Sequence, residues 1–214
     1  MAPRHVMTYL WPRMDPYGKR EVLDCFGRHL RRHGDTPQAV RWTEKGQRAR
    51  YETFLALCGD LEGKSLLDFG CGKGDLFGFL RARGVDCAYT GVDIHPDLIA
   101  LAQAKHPGTE FLVRDIEEEP LGRGFDVVVA CGVFNLRAGG IQETVESVLP
   151  LLHGCAREAL HANFLTARAP RHDVELHYVD PAWLLDFARE RLSPDAEVRE
   201  DLVPDDVFLT VRHG

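Results

Sequence analysis

"LLDFGCGKGDL", Leu66 to Leu76, sets glycines at every second position, Gly70, Gly72 and Gly74, directly behind an apolar run that closes on Asp68. Neither a helix nor a strand favours glycine at that density, because each one costs backbone entropy and adds no packing. What glycine permits is an unusual backbone angle and the approach of another group with no Cβ in the way. The spacing is not that of a phosphate-binding loop, GxxxxGK[ST], and the third glycine falls one residue short of the dinucleotide fingerprint GxGxxG. An acid at the strand end also sits poorly beside a pyrophosphate. It suits a ligand that carries an ammonium group.

Outward from this turn the chain alternates between two rhythms. "KSLLDFG" reads as a short buried strand, and "DLFGFLRARG" as a helix closed by Gly84. "CAYTGVDI" is a strand and "HPDLIALAQAKH" a helix with Pro96 near its start. "TEFLVRD" and "FDVVVACGVFN" are strands, "IQETVESVLPLL" a helix and "REALHANFLTA" a strand. "DPAWLLDFARERL" is a helix that Asp180 caps, and "AEVREDLV" and "DVFLTVRH" are two closing strands. Strands alternating with helices of about a dozen residues predict an α/β fold: a doubly wound, mostly parallel sheet covered on both faces. The three glycines then lie at the carboxyl end of the first strand, where such sheets bind ligands.

Ahead of this core, "KREVLDCFGRHLRRH" has helical spacing and ends at Gly34, and "TEKGQRARYETFLALCG" reads as a second helix that Thr43 caps. Residues 1–60 are read as a helical extension, a lid belonging to the same domain, and residues 61–214 as the ligand-binding core. The 214 residues suit one domain, and no apolar run has the length of a membrane span. The N-terminus lacks a signal-peptide pattern and the six cysteines form no CxxC pair, so a cytoplasmic protein with reduced thiols is expected. The net charge of −7 argues against a general nucleic-acid binder. That charge is uneven: residues 1–50 carry 11 basic and 5 acidic side chains, a balance of +6, and the remainder carries −13. The basic segment reads either as a solvated helical face or as a flap over an anionic ligand group.

Two further acids mark the same sheet edge. Asp93 ends the second strand in "GVDIHPDLI", where a carboxylate can accept two hydrogen bonds from a ribose diol. Asp115-Ile116 ends the third, offering an acceptor for an adenine amino group and an apolar face for its ring. "LLDFGCGKGDL", "GVDIHPDLI", "VRDIEEEP" and "FDVVVACGVFNL" together resemble, in order and spacing, the successive motifs of the class I S-adenosylmethionine (SAM)-dependent methyltransferases, over roughly Lys64 to Leu136. The resemblance implies a Rossmann-like, seven-stranded sheet with an antiparallel last strand. It implies that Asp68, Gly70, Cys71 and Gly72 surround the methionine part of SAM, that Asp93 holds the ribose with Ile94 beside it, and that Asp115 and Ile116 hold the adenine. Cys131 then lies near the sulfonium. Trp42 and Arg50, in the N-terminal region, are candidates to close over SAM, with Arg50 pairing its carboxylate.

The place where some members carry NPPY or DPPY reads "ACGVFNL", which argues against methylation of DNA adenine or of a release factor. Asp126 begins the fourth strand rather than ending it, and no metal is expected. Candidates on the acceptor side are Asn135, after the fourth strand, and His177 and Tyr178 in the segment Arg168 to Asp180, with His172 nearby. The reading that results is methyl transfer from SAM to a small-molecule acceptor. RNA or protein side-chain methylation is the alternative that would use the basic N-terminal region, and a SAM-binding regulator without chemistry is a third.

Overall fold

The computed structural model describes residues 14–213, which form eight strands and six helices. In chain order these are α1 (Pro16–His33), α2 (Glu44–Cys58), β1 (Ser65–Phe69), α3 (Asp75–Ala82), β2 (Ala88–Asp93), α4 (Pro96–Lys105), β3 (Glu110–Val113) and β4 (Phe125–Cys131). There follow α5 (Ile141–Cys155), β5 (Ala156–Thr166), β6 (Tyr178–Val179), α6 (Pro181–Arg191), β7 (Glu197–Arg199) and β8 (Asp206–Arg212). One sheet runs β3-β2-β1-β4-β5-β8-β7. Its pairs are parallel from β3 to β5, and β8 runs antiparallel to both β5 and β7. The antiparallel last strand is as expected. The eighth strand is β6, two residues paired parallel to the end of β5, too short to show a period in sequence. The closing strand read over "AEVREDLV" shrinks to Glu197–Arg199, and turns carry the chain from there to β8.

The core follows from the strands' period of two. In β4, Val128 and Ala130 face α5 and α6 with Leu149, Leu152 and Leu184, whereas Val127 and Val129 face the other layer with Phe54, Leu76, Leu80 and Ile99. Both faces are therefore apolar along most of each central strand, which is why the runs read as continuous rather than alternating.

Helix α1 starts three residues before the expected Lys19. Asp15 Oδ1 accepts the N–H of Tyr17 at 2.8 Å and Pro16 occupies the first helical position. It ends at Gly34, whose N–H reaches Leu30 O at 2.8 Å. Thr43 caps α2 through Gly46 N at 3.0 Å, and Asp180 caps α6 through Ala182 N at 2.9 Å. A single 3-10 turn, Pro37–Val40, joins the first two helices. None of the described helices is long and apolar enough to cross a membrane. Residues 1–13 of the expected lid lie outside the described residues.

Candidate functional site

The glycine turn is built by its neighbours. Gly70 N and Cys71 N both donate to Val92 O, at 2.7 and 3.0 Å, which pins the turn to the end of β2. Gly70 has φ +73°, and a Cβ there would lie 2.4 Å from Val133 Cγ2. Glycine is thus required twice at this position, for the backbone angle and for the space. Gly72 N donates to Asp93 Oδ2 at 2.9 Å, and His95 N donates to Asp93 Oδ1 at 2.8 Å. One carboxylate ties the first strand's turn to the second's. Burial pushes the Asp93 carboxyl up, against the pull of these N–H groups.

Between these turns lies a cavity of about 120 Å³. Gly70, Gly72, Asp93, Ile94, Asp115, Ile116 and Cys131 all wall it, so seven of the expected cofactor positions meet at one place. Asp68 and Cys71 do not line it. Asp68 is buried just behind the turn, accepting the Tyr89 hydroxyl on Oδ2, and burial lifts its pKa to about 7. Cys71 packs into the layer of Leu76 and Phe111, where burial pushes its thiol well up.

Much of the remaining wall is apolar: Phe69, Val133, Phe134, Leu136, Ile141 and Val148. Helix α1 and the residues beside it cover it with Met14, Val22, Phe26 and Val40. The polar side chains on these walls already have partners. Lys19 pairs with Asp115 and, at 3.1 Å, with Glu118. Glu117 Oε1 accepts Ser147 at 2.6 Å, Thr144 Oγ1 donates to Gly140 O at 2.8 Å, and His95 Nε2 lies 3.2 Å from Leu23 O. The α1 residues were missed because an amphipathic period shows that a face is buried, not what it covers. The His-Pro at the start of α4 was the available signal for His95, which caps that helix.

The N-terminal region is fastened down by charge. Lys73 reaches Asp35 at 2.9 Å and Asp75 at 2.5 Å, and Lys105 reaches the same two carboxylates at 2.9 and 2.8 Å. Against burial, Lys105 and Lys73 hold the Asp75 carboxyl below its ordinary range. Arg41 pairs with Glu175 at 2.9 Å. Arg50 departs from its expected role. Its Nε donates to Asp206 Oδ2 at 2.6 Å, its Nη2 to Asp206 Oδ1, and its Nη1 to Gly46 O at 3.2 Å. The guanidinium is satisfied by the protein's own carboxylate, so it is not the free cation a cofactor carboxylate would require. Trp42 lies flat beneath it, 4.3 Å away, and covers Gly132 rather than lining the cavity.

The acceptor-side candidates are also placed differently from expectation. His177 and Tyr178 do not line the cavity. His177 Nδ1 sits 3.1 Å from Phe134 O, and its backbone N–H donates to Asn135 O at 3.0 Å. Burial lowers its pKa. The Tyr178 hydroxyl accepts Asp173 N at 2.9 Å, and its ring stacks on exposed His172 at 4.0 Å. Asn135 does not line the cavity either: its Nδ2 would stand 3.2 Å from a Cβ at Gly132, and its buried Oδ1 has no partner among the described residues.

A strand-end glycine turn, acids at the ends of the next two strands, and a covered cavity between them make an α/β protein with a ligand-sized site at the carboxyl edge of its sheet. A methyltransferase-domain family model matches residues 67–157. A putative methyltransferase of Mycobacterium tuberculosis is 30% identical over 64% of this chain and 86% of its own length. A fatty-acid O-methyltransferase of Mycolicibacterium smegmatis is 31% identical over 77% of this chain, which spans 56% of that enzyme's length. Among solved structures, the magnesium protoporphyrin IX methyltransferase of Synechocystis PCC 6803 with bound SAM superimposes with a TM-score of 0.65 at 20% identity, covering 92% of this chain and 97% of that one. The chain belongs to the class I SAM-dependent methyltransferases and is an enzyme of that family.

Proposed function

We propose that the protein transfers the methyl group of SAM to a small acceptor whose buried part is apolar and uncharged. The observation that carries this reading is the lining of the cavity: the motif residues share it with aliphatic and aromatic side chains, and Lys19, Asp115 and Glu117 are partnered within the protein. Burying a charged acceptor there would leave it uncompensated. The basic N-terminal segment, which would have served an RNA or protein substrate, directs Lys19, Arg41, Arg48 and Arg50 to the chain's own carboxylates. The names of the relatives, a fatty-acid and a magnesium protoporphyrin methyltransferase, point to acceptors that are largely apolar.

The residues present fit the cofactor. The Gly70–Gly72 turn leaves a cradle that a Cβ would fill. Each Asp93 oxygen has accepted one backbone N–H and keeps a lone pair for a ribose hydroxyl. Asp115, held by Lys19, and Ile116 would take the adenine, and Asp68 behind the turn would favour the ammonium. SAM, when bound, supplies a methyl group already activated by a sulfonium. The protein's own work is then to orient the acceptor and keep water out. Asn135, beside Gly132 and with an unpartnered Oδ1, is the candidate to orient it.

Thermal melting tests the cofactor reading. At a hundredfold excess over the dissociation constant, SAM or S-adenosylhomocysteine adds about 2.7 kcal/mol. That raises the melting temperature by about 5–10 °C for a chain of this size. A shift of that size with NAD and none with SAM would overturn the reading. Asp93→Asn is expected to weaken SAM binding by at least about tenfold, since hydrogen bonds to a charged acceptor are worth about 1.5–3 kcal/mol each. Unchanged affinity by calorimetry would reduce Asp93 to a tie between two turns.

A further inference from the structure

We infer that the buried chain Arg50–Asp206–Asn163 is a positioning device for the turn Cys131–Gly132–Val133, setting the wall of the cavity against which the methyl group is handed over. This rests on the reading above that Cys131 marks the transfer side of the site. The turn leaves the end of β4 with Gly132 at φ +67°. Its backbone N–H is held by Asn163 Oδ1 at 2.8 Å. The other end of the same amide, Nδ2, donates to Asp206 Oδ2 at 2.7 Å. An N–H on one side and a carboxylate on the other allow the amide one orientation only. Asp206 in turn accepts both edges of the Arg50 fork. Asn163 and Asp206 are both 0% exposed. Links from α2, β8 and β5 thus converge on one backbone N–H in the cavity wall.

Arg50 also acts through a second arm. Its flat face lies 4.3 Å from the Trp42 ring, and a Cβ at Gly132 would stand 2.3 Å from Trp42 Cζ2. One guanidinium therefore fixes the turn from its N–H side through two side chains and covers its Cα side through a third. A planar fork that pairs and stacks at once is a task lysine cannot perform. A buried ion pair is weak as a source of stability when compared with apolar residues of similar volume. Fixing a geometry is a better account of this one, because a misplacement of about 1 Å at a reacting centre costs on the order of a hundredfold in rate.

The test uses the full chain with Asn163→Ala, Asp206→Asn and Arg50→Lys. The measurements are SAM binding, labelled-methyl transfer from saturating SAM into a metabolite extract, hydrogen exchange at the Gly132 amide, and Trp42 emission assigned with Trp42→Phe. Transfer at saturating SAM is expected to fall by roughly 30–100-fold, well beyond any loss of SAM affinity. Gly132 exchange should accelerate, and Arg50→Lys, which keeps the charge, should fail to restore either the rate or the Trp42 signal. Unchanged Gly132 exchange with full transfer overturns the proposal, as does a rate loss that merely follows lost SAM affinity. Should the buried variants not fold, Trp42→Phe alone decides: an unaltered transfer rate overturns the outer arm. Failure of the wild-type chain to bind SAM would instead strike the cofactor reading, leaving Gly132 exchange in Asn163→Ala to judge the positioning chain by itself.

Discussion

SAM affinity is expected to rise more than tenfold between about pH 5.5 and about pH 7.4, then to fall again as the ligand's own α-amino group, with a pKa of about 7.7–8, loses its proton. The rising limb belongs to Asp68. Burial lifts its carboxyl to about 7 in the ligand-free protein, opposed by the Tyr89 hydroxyl and reinforced by the nearby Asp93 and Asp75. A cation bound beyond the glycine turn favours the ionised form, so binding requires the proton to leave and affinity follows the carboxylate fraction. Asp68→Asn keeps an acceptor for Tyr89 but removes the charge. It should abolish the rising limb and weaken SAM about 10–100-fold at pH 7.4, since a hydrogen bond to a charged group contributes about 1.5–3 kcal/mol. The same substitution should stabilise the ligand-free protein at alkaline pH. With the folded-state pKa above the unfolded value of 3.8, the folded state holds the proton more tightly. That contribution is complete below the unfolded pKa and is lost as pH rises through about 7. Full ionisation would therefore cost the ligand-free fold on the order of 4 kcal/mol as an upper bound. Calorimetry across this pH range, in buffers of different ionisation enthalpy, reads the released proton directly. A flat profile, with Asp68→Asn binding as the wild type does, would make Asp68 packing behind the turn and remove the ammonium partner.

Much of this site could be read because its parts lie at the ends of strands, and strands announce themselves. The apolar runs before Gly70 and Cys131 are continuous because both faces of the central sheet are covered, and the functional residues of all four strands fall at or just past the carboxyl edge. What escaped the sequence joins residues far apart in the chain. Lys19 meets Asp115 across 96 residues and Arg50 meets Asp206 across 156, and no spacing rule connects such pairs. A basic residue at helical spacing shows its charge but not its partner, so in sequence Arg50 reads as a free cation. His177 and Tyr178 were placed at the acceptor because they fall in a connecting segment where substrate loops commonly sit. The two-residue strand β6 instead draws that segment in beside β5, and their polar atoms serve neighbouring backbone groups. The covering role of α1 was hidden for a different reason. A helix with one apolar face packs equally well on a sheet or over a cavity, and only the fold decides between them.

Gly70→Ala should reduce SAM affinity by more than a hundredfold, whereas Gly34→Ala should leave it unchanged, and the comparison separates backbone strain from lost space. Both glycines have positive φ, +73° and +60°. Each substitution therefore forces a residue with a Cβ into a backbone region that L side chains avoid, at Gly34 with ψ −146° close to one that is almost glycine's alone, at about 1–3 kcal/mol. At Gly34 nothing else lies within 4 Å, so strain is the whole effect, and the melting temperature should fall by only a few degrees. At Gly70 the new methyl would stand 2.4 Å from Val133 Cγ2 and 2.7 Å from its Cβ. Neither neighbour yields cheaply. Gly70 N is bonded to Val92 O at 2.7 Å, and Val133 follows Gly132, whose N–H is held by Asn163. Relief must come from moving one turn away from the other, and both turns wall the same cavity. The cradle for the methionine part of SAM would then be widened and partly filled at once. Each lost hydrogen bond to a charged group removes about 1.5–3 kcal/mol, so losing two is enough for the hundredfold. Equal losses of stability in the two variants with SAM binding intact in both would show that Gly70 serves only its backbone angle. Selective loss of binding at Gly70 would show that the glycine is there because a ligand and Val133 both need the space a side chain would take.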